Sequence, residues 1–394
     1  MPIAMKLREG VAAEGRPEEV LPAKARRYAP RTRPHLCFVN PHGWPVFSGD
    51  RSIPVIGGAE VQQAILARLL AADGYRVSMI CNDFGQPDPA QVDGVTVRRS
   101  YRSSSGIPVL RFLHPRLTTM WKRLVEVDAD VYYYRAASMW VGVLAEYCRR
   151  YGKRLIYAGA SDKDFVPDIG GQIRYARDRW LYRRGLAAAD AIVAQNKAQQ
   201  QDVRTHLGRE AVLIPSVYEV PKGRKAQVQD CVLWVGTIHD GKRPEMLLEL
   251  AKRLPHLPFV MIGGPQVGQP ALFEEIRARA AALPNVDFRG FVPLAEIDPW
   301  FDRARVLVNT SRFEGMPNVF LQAWARGVPT VATVDVRVAE HRIAGEPEAL
   351  AAELQKLYAE PRAQGEACRA YFERTHSSAE VLERYARLID GIAP

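Results

Sequence analysis

The chain has 394 residues, too many for one ordinary hydrophobic core, and we expect two domains of roughly 180 residues each. Hydrophobic residues make up 47% and charged residues 25%, which is typical of a globular protein, and no apolar run is long enough to span a bilayer. A net charge of +10 favours anionic partners such as nucleotides or anionic lipid. The sequence contains no zinc-finger, RNP or helix-turn-helix signature, so a nucleic-acid partner is not favoured.

The five cysteines are scattered along the chain without any C-x-x-C pair. They are typical of reduced, buried thiols and argue against a zinc site. The opening MPIAMKLREG lacks a long apolar core followed by a small-residue cleavage site, so we expect a cytoplasmic protein. The cysteines are Cys37, Cys81, Cys148, Cys231 and Cys368.

Residues 1–33 are polar, rich in Pro, Arg and Ala, and without sustained periodicity, which predicts a mobile basic arm. Short apolar runs then alternate with helical patterns, which predicts a parallel sheet covered on both faces. The predicted strands are 35–40, 75–81, 95–99, 131–134, 154–158, 191–196 and 212–217, and the predicted helices are 60–72, 108–127, 141–151 and 172–189. Gly57 and Gly58 precede the first helix, where they either let a phosphate or sugar approach the backbone or form a plain turn.

Residues 221–230 are polar and basic, which predicts a linker before a second alternating series. Its predicted strands are 231–236, 259–264, 286–290, 304–309 and 328–333, and its predicted helices are 243–254, 271–283, 295–302, 317–326, 347–358, 364–374 and 377–392. The fold class is therefore α/β, with two Rossmann-like, doubly wound domains at 34–220 and 231–376 and a terminal helix at 377–394. Ligands of such sheets bind beyond the carboxyl ends of the strands, so several loops are expected to line one cleft. Those loops contain Gly57, Asp162, Gly236, Gly264, Phe291 and Glu314.

Residues 311–333, SRFEGMPNVFLQAWARGVPTVAT, carry the strongest signal for a ligand site. Pro317 suits the first position of a helix, and Gly327 suits the left-handed position that ends it. Glu314 therefore precedes a helix N-terminus, whose free N–H groups and partial positive charge favour a phosphate. Glu314 either complements the helix dipole or contacts a ligand beside that anion site.

A basic loop, TIHDGKRP, occupies residues 237–244 and leads into a helix. Lys242 in this loop is a candidate for holding a diphosphate as a point charge at the mouth of the helix. A solvated loop lysine is the alternative, because most lysines lie at the surface.

Two D-x-D triplets have the spacing of carboxylates that hold a divalent metal. Asp128 and Asp130 precede a strand, at the end of the sheet opposite to where ligands collect, and we discount them. Asp162 and Asp164 follow a strand and are better placed. Asp162 is a candidate acceptor-side hydrogen-bond partner or base, and a helix cap or an ion pair is the alternative.

Residues 110–127, LRFLHPRLTTMWKRLVEV, mix Arg111, Arg116, Lys122 and Arg123 with large apolar side chains. This composition fits a surface that rests on anionic lipid, and the arginines at positions 98, 99 and 102 would extend its positive field. An ordinary sheet-covering helix with a basic solvent face fits equally well.

Five motifs follow the basic arm in order: GGAE, a loop with KRP, FVMIGGP, NVDFRGFVP and FEGMPNVFLQAWARGVPTVAT. This order resembles the retaining glycosyltransferases of family 4, which have the GT-B fold, over nearly the whole chain after the arm. The last motif, written E-x7-E in that family, is the most specific part of the resemblance. The terminal helix of such enzymes usually crosses back onto the first domain.

The resemblance implies roles for individual residues. Glu314 would contact hydroxyls of the transferred sugar, Lys242 would neutralise the diphosphate, and the backbone near Phe291 would meet the nucleobase. The implied catalytic set is Glu314, Lys242 and Asp162, and the implied donor-binding set is Gly57, Gly58, Gly236, Thr237, Lys242, Arg243, Gly264, Phe291, Glu314, Gly315, Met316, Pro317, Asn318 and Gln322.

The chain departs from the family pattern at four places. Gln322 stands at the second glutamate position, where it can still hydrogen-bond a ribose diol but carries no charge. Thr237 stands where many members have an arginine, so Arg243 or an arginine of the first domain would have to substitute. Asp162 and the preceding serine replace a frequent histidine, and the segment between residues 333 and 347 is shorter than usual.

These observations predict a retaining glycosyltransferase that moves a sugar from a nucleotide-sugar to a glycan or lipid-linked acceptor, in cell-surface polysaccharide synthesis. No metal or other cofactor is expected, because Lys242 and the helix at Pro317 supply the positive charge. A location at the inner face of the plasma membrane is a further expectation. The alternatives are a non-catalytic partner that binds nucleotide-sugar or glycan, and a related epimerase or hydrolase.

Overall fold

The computed structural model describes residues 33–48, 57–107, 110–167, 173–220, 227–266 and 268–394. Residues 1–32 of the predicted basic arm and residues 221–226 of the predicted linker lie outside the described residues. Within the described ranges, none of the helices is both long and apolar enough to cross a bilayer.

The first sheet of the described chain is parallel except at one edge. Its strands are β1 (Leu36–Val39), β2 (Val77–Cys81), β3 (Ala90–Val92), β4 (Val95–Arg99), β5 (Val131–Arg135), β6 (Arg154–Ala158), β7 (Ala191–Ala194) and β8 (Val212–Leu213). They are ordered β3-β4-β2-β1-β5-β6-β7-β8, and only β3 runs antiparallel to its neighbour β4. The order extends outward from β1 in both directions, which is the topology of a doubly wound domain.

Helices cover both faces of this sheet. They are α1 (Trp44–Ser48), α2 (Gly58–Ala72), α3 (Thr118–Val127), α4 (Trp140–Tyr151), α5 (Ala176–Ala188) and α6 (Lys197–Asp202). Helices α4 and α5 pack closely at Gly142, where a Cβ would lie only 2.2 Å from the carbonyl oxygen of Leu181. The two faces bury separate apolar clusters, one around Tyr147 and Tyr157 and the other around Leu70 and Met79.

The second sheet is wholly parallel. Its strands are β9 (Cys231–Val235), β10 (Phe259–Ile262), β11 (Val286–Gly290), β12 (Ala304–Asn309), β13 (Thr330–Ala332) and β14 (Arg342–Ile343), in the order β11-β10-β9-β12-β13-β14. Its helices are α7 (Pro244–Arg253), α8 (Pro270–Ala281), α9 (Asp298–Arg303), α10 (Asn318–Trp324), α11 (Pro347–Ala359) and α12 (Arg362–Thr375). Two doubly wound parallel sheets confirm the predicted α/β class.

The last helix, α13 (Ser378–Ile392), packs on the first sheet. The hydroxyl of Tyr385 lies 3.1 Å from that of Tyr133, and the hydroxyl of Tyr75 donates to Asp390 at 3.3 Å. Val381 and Ile389 are buried in the same cluster. The end of the chain therefore ties the second domain back to the first.

Prolines explain two differences from the predicted elements. The continuous helix predicted from residue 108 begins at Thr118, because Pro115 disfavours helical geometry at His114, which has φ −133° and ψ 129°. The strand predicted to reach residue 217 ends at Leu213, before Pro215, which lacks the N–H that a sheet ladder needs. Four short elements, α1, β3, α6 and β14, were not predicted from the sequence.

Candidate functional site

A cleft of about 1320 Å³ lies between the carboxyl ends of the two sheets and is lined by residues of both domains. Most of the residues predicted to bind a ligand contribute to its walls. These are Gly57, Gly58, Gly236, Thr237, Lys242, Gly264, Phe291, Glu314, Gly315, Met316, Pro317, Asn318 and Gln322. Arg243 and Asp162 are not among the lining residues.

Lys242 is held by a network between the loop after β9 and the loop after β12. The hydroxyl of Thr310 donates to the carbonyl of Lys242 at 2.6 Å and accepts from the indole N–H of Trp234 at 2.9 Å. The N–H of Arg312 donates to the carbonyl of Gly241 at 2.9 Å. The backbone at Lys242 is therefore fixed against the loop that follows β12, and the same loop carries Glu314.

Arg243 does not supply the predicted cation, because its guanidinium faces the protein backbone. Its Nε donates to the carbonyl of Thr310 at 2.7 Å and its Nη2 to that of Ser311 at 3.4 Å. The left-handed backbone at Arg243, with φ +46°, turns the side chain away from the cleft and towards these carbonyls. Arg243 therefore supports the loop that leads to Glu314.

Glu314 lies in the cleft with one carboxylate oxygen saturated and the other open. Its Oε1 accepts from the ammonium of Lys242, from Ser311 Oγ at 2.7 Å and from Asn309 Nδ2 at 3.4 Å. No residue of the described ranges hydrogen-bonds Oε2. The side chain of Glu314 is 14% exposed and that of Lys242 is 25% exposed, so the pair borders the cleft without being sealed.

His239 is a cleft residue to which the sequence reading gave no role. Its Nδ1 accepts a hydrogen bond from the N–H of Gly241 at 3.1 Å, which places the proton of the neutral ring on Nε2. Burial, and then the charge of Lys242, lower the pKa of His239. At neutral pH His239 is therefore an uncharged hydrogen-bond donor beside the Lys242–Glu314 pair.

Glycines bring backbone close to the cleft where β9 and β10 end. A Cβ on Gly263 would lie 2.0 Å from the carbonyl oxygen of Gly236, which no larger residue tolerates. A Cβ on Gly264 would lie 3.2 Å from the side chain of Phe291. The lack of a side chain at Gly264 therefore lets the backbone after β10 pack directly against Phe291 at the cleft wall.

Asn318 connects the two domains across the cleft. Its Nδ2 donates to the carbonyl of Gly58 at 3.1 Å, and its Oδ1 accepts from Gln62 Nε2 at 3.0 Å. Pro317, predicted to be the first helical residue, lies just outside α10 because its ψ of 131° is extended; the left-handed Gly327 has φ +69°, as predicted. The beginnings of α2 and α10 thus meet at the site.

The second D-x-D triplet has two different environments. Asp164 is buried, accepts from the N–H of Ala160 at 2.7 Å and from the hydroxyl of Tyr157 at 3.2 Å, and burial raises its pKa. Asp162 Oδ1 accepts from the amides of Asn196 at 3.1 Å and Gln199 at 3.0 Å. The two carboxylates therefore have separate partners, which argues against the paired-metal interpretation.

Asp162 nevertheless lies at the domain boundary. A Cβ on Gly315 would be 3.7 Å from Asp162 Oδ1 and 3.7 Å from the carbonyl oxygen of Ala160. The loop after β6 thus faces the loop that carries Glu314. Among the described residues, no group of three or more His, Cys, Asp or Glu side chains is arranged to hold a metal ion.

Arg135 is a cleft residue that the sequence reading missed. It is the last residue of β5 and is 5% exposed, and its Nη2 donates to Ser216 Oγ at 3.0 Å. A charged residue at the carboxyl end of the otherwise aromatic run VYYYR is the signal that could have identified it, because buried strands seldom carry an arginine.

The segment predicted to face lipid, residues 110–127, has two parts with different contacts. On α3, Met120 is buried, Trp121 packs edge-on against Tyr147, and Arg123 pairs with Asp88 at 2.5 Å. Asp88 also pairs with Arg98 at 2.9 Å, so part of the positive charge predicted at Arg98 is compensated. Helix α3 is an ordinary sheet-covering helix.

An exposed basic apolar surface lies instead at residues 110–113 together with α5. Leu110, Leu113 and Trp180 are each more than half exposed. The guanidinium of Arg177 lies 3.6 Å from the ring centre of Phe112, which joins the two segments. Helix α5 also carries several arginines against one acidic residue, namely Arg177, Arg179, Arg183 and Arg184 against Asp178.

Two family models match the chain in succession. The model described as "Glycosyltransferase Family 4" matches residues 56–218, and the model described as "Glycosyl transferases group 1" matches residues 229–360. The chain is also 28% identical over 174 residues to D-inositol 3-phosphate glycosyltransferase of Streptomyces avermitilis. That match covers 37% of this chain and 38% of the relative, well under half of either protein.

Solved structures of glycosyltransferases share the fold over most of this chain. Sucrose-phosphate synthase from Thermosynechococcus elongatus is 18% identical with a TM-score of 0.72, over 91% of this chain and 99% of the other. HepE of Anabaena, solved with UDP and glucose, is 15% identical with a TM-score of 0.67, over 91% of this chain and 100% of the other.

Proposed function

The chain belongs to the GT-B glycosyltransferases, with a family 4 domain followed by a group 1 domain, and on this basis we propose that it transfers a sugar from a nucleotide-sugar. The acceptor is a glycan or lipid-linked sugar, and the configuration at the anomeric carbon is retained. The structural neighbour HepE, solved both with UDP and with UDP and glucose, supports a nucleoside diphosphate as the leaving group.

The observation that carries the proposal is the Lys242–Glu314 pair at the mouth of the cleft. Lys242 stabilises the charge that develops on the departing diphosphate, because a cation that is already fixed in position needs no reorganisation when that charge appears. Glu314 Oε1 orients that ammonium, while the open Oε2 accepts hydrogen bonds from hydroxyls of the transferred sugar. Gln322, which is 5% exposed and lines the cleft, hydrogen-bonds the ribose.

The acceptor approaches from the first domain. Asp162, beside Gly315, is the acceptor-side hydrogen-bond partner, and the acceptor hydroxyl attacks the face that the diphosphate leaves. Lys242 replaces a divalent metal in this mechanism. We therefore expect full activity in the presence of a chelator, measured as product formed with EDTA against added magnesium or manganese. Complete dependence on added metal would contradict metal independence.

A thermal-shift screen with UDP, GDP and ADP sugars tests the proposed function. The cognate donor at about one hundred times its Kd stabilises the folded state by about 2.7 kcal/mol. Incubation with radiolabelled donor then separates the alternatives. Slow hydrolysis that is lost in Glu314→Ala supports a transferase, whereas binding without turnover in the presence of acceptors supports a non-catalytic partner.

The basic apolar surface supports a second proposal, that the first domain rests on an anionic membrane. Leu110, Leu113 and Trp180 supply apolar side chains, and the arginines of α5 supply complementary charge. This position at the inner face of the plasma membrane would bring the cleft to a lipid-linked acceptor.

Co-sedimentation with vesicles of phosphatidylglycerol tests this surface. The double variant Leu113→Ser, Trp180→Ala is expected to bind about tenfold more weakly than the unaltered chain, because it lacks two exposed apolar side chains that would be buried in the bilayer. Val228→Ser alters a residue that is 79% exposed elsewhere and serves as the matched control. Equal binding of the unaltered chain to phosphatidylglycerol and to neutral phosphatidylcholine vesicles would contradict the proposal.

A further inference from the structure

Arg135 is a buried cation with an unused donor. Only 5% of the residue is exposed, although it lines the cleft. One hydrogen bond is made, from Nη2 to Ser216 Oγ, and the buried Nε has no partner. No carboxylate of the described ranges lies within ion-pair distance of its guanidinium. A buried guanidinium without a counter-charge is unfavourable, so this arrangement calls for an anion.

The surrounding polar groups do not supply that anion. Ser216 Oγ donates to Gln195 Oε1 at 2.6 Å, and Gln195 Nε2 donates to the carbonyl of Gly159 at 2.7 Å. These neutral contacts form a continuous chain of hydrogen bonds that holds Nη2 of Arg135 in place. The Nε of Arg135 is left without a protein partner among the described residues.

Asp164 is the acidic residue whose charge Arg135 influences, but it is not an ion-pair partner. Burial raises the pKa of Asp164, and the N–H groups of Ala160 and Ser161, the hydroxyl of Tyr157 and the charge of Arg135 oppose that effect. The Asp164 oxygen Oδ2 receives those three hydrogen bonds. Asp164 therefore serves the turn after β6 and compensates Arg135 only from a distance.

Arg135 is connected to the loop that carries Glu314 through the neighbouring strand β6. Arg135 is in register with Ala158 of the neighbouring strand, and the chain continues from there to Ala160. The Ala160 carbonyl faces Gly315, the residue after Glu314. The next residue, Ala136, has φ +83°, a strained conformation for alanine that sets the direction in which the strand end leaves the sheet.

We propose that Arg135 binds a phosphoryl-type anionic group of a ligand in the cleft, through the guanidinium N–H groups that Ser216 does not engage. The inference rests on the proposed function, because it assumes that sugar transfer takes place in this cleft. Two sources share this chemistry. One is the leaving diphosphate, because Thr237 stands where many family members have an arginine and therefore supplies no charge there. The other is an acidic group on the acceptor.

Isothermal titration with inorganic phosphate, pyrophosphate, UDP, GDP and ADP tests the proposal on the full chain. Loss of one charged hydrogen bond predicts that Arg135→Met binds pyrophosphate about 10- to 150-fold more weakly. Arg68→Met is the matched control, because Arg68 also lines the cleft but is paired with Asp93 at 2.7 Å. Arg135→Gln keeps a donor for Ser216 and replaces Arg135→Met if that variant fails to fold.

The outcomes separate the two sources. An equal loss for pyrophosphate and for the tightest nucleoside diphosphate assigns Arg135 to the donor. A loss for phosphate and pyrophosphate with unchanged nucleotide affinity assigns it to an acidic group of the acceptor. Unchanged affinity for every anion, or an equal loss in Arg68→Met, overturns the proposal. Arg135-dependent binding of pyrophosphate in a chain that binds no nucleotide would contradict the proposed function and leave this site standing.

Discussion

Lys242→Gln is expected to lower kcat about 10²- to 10³-fold, the loss typical of removing one group that stabilises developing charge. The reason is geometric, since the Lys242 ammonium is held by Glu314 Oε1 and its backbone is fixed by Thr310. The measurement is the initial rate of sugar transfer at saturating donor. An equal loss in kcat and kcat/KM would identify an interaction made only in the transition state.

The matched control is Lys252→Gln, which removes a lysine on α7 that pairs with Glu249 at 2.9 Å and is half exposed. That variant is expected to keep its activity. Glu314→Gln should cost as much as Lys242→Gln, and the double variant should lose less than the product of the two effects, because contacting residues are not additive. Activity of Lys242→Gln within threefold of the unaltered chain would show that Lys242 has no catalytic role.

The architecture could be predicted from the sequence because the pattern of apolar residues indicates which segments are buried. Strands such as Leu36–Val39 are continuous apolar runs, and such runs predict parallel strands that are covered on both faces. Element ends depended on local chemistry that the pattern does not contain. Pro115 delays the start of α3 and Pro215 follows the end of β8, although the apolar pattern continues through both prolines. The six-residue helix α6 was too short and polar to show a period.

The side-chain directions at the site could not be predicted from the sequence. Arg243 and Lys242 are adjacent and chemically alike, yet only Lys242 faces the cleft, because the left-handed backbone at Arg243 turns its guanidinium to the carbonyls of the other loop. Asp162 and Asp164 are likewise close in sequence and chemically identical, yet they have different surroundings. One is held by amide side chains at the domain boundary and the other is buried beneath the turn. A motif gives the residue types, whereas the three-dimensional neighbours decide their roles.

A buried ionic network stabilises the domain that holds Gln322. Arg326 Nε donates to Asp302 at 2.8 Å, Nη2 to Asp298 at 2.5 Å and Nη1 to the hydroxyl of Tyr218 at 3.0 Å. The side chain of Arg326 is 1% exposed and that of Asp302 is 7% exposed. Arg326 Nη1 also donates to the carbonyl of Gln322 at 2.9 Å, so the network fixes one wall of the cleft.

Arg326→Met is expected to reduce the free energy of unfolding of the second domain by about 3–5 kcal/mol, because buried carboxylates would lose their counter-charge. Arg326→Lys should recover only part of this, since an ammonium cannot reproduce the planar fork that reaches two carboxylates and a hydroxyl. The control is Arg303→Met, which breaks a pair with Asp230 whose side chains are 35% and 46% exposed and should cost less than about 1 kcal/mol. Urea unfolding followed by tryptophan fluorescence measures each change, because three of the seven tryptophans, Trp234, Trp300 and Trp324, lie in the second domain. Equal losses in Arg326→Met and Arg303→Met would show that the buried network contributes no more than a surface ion pair.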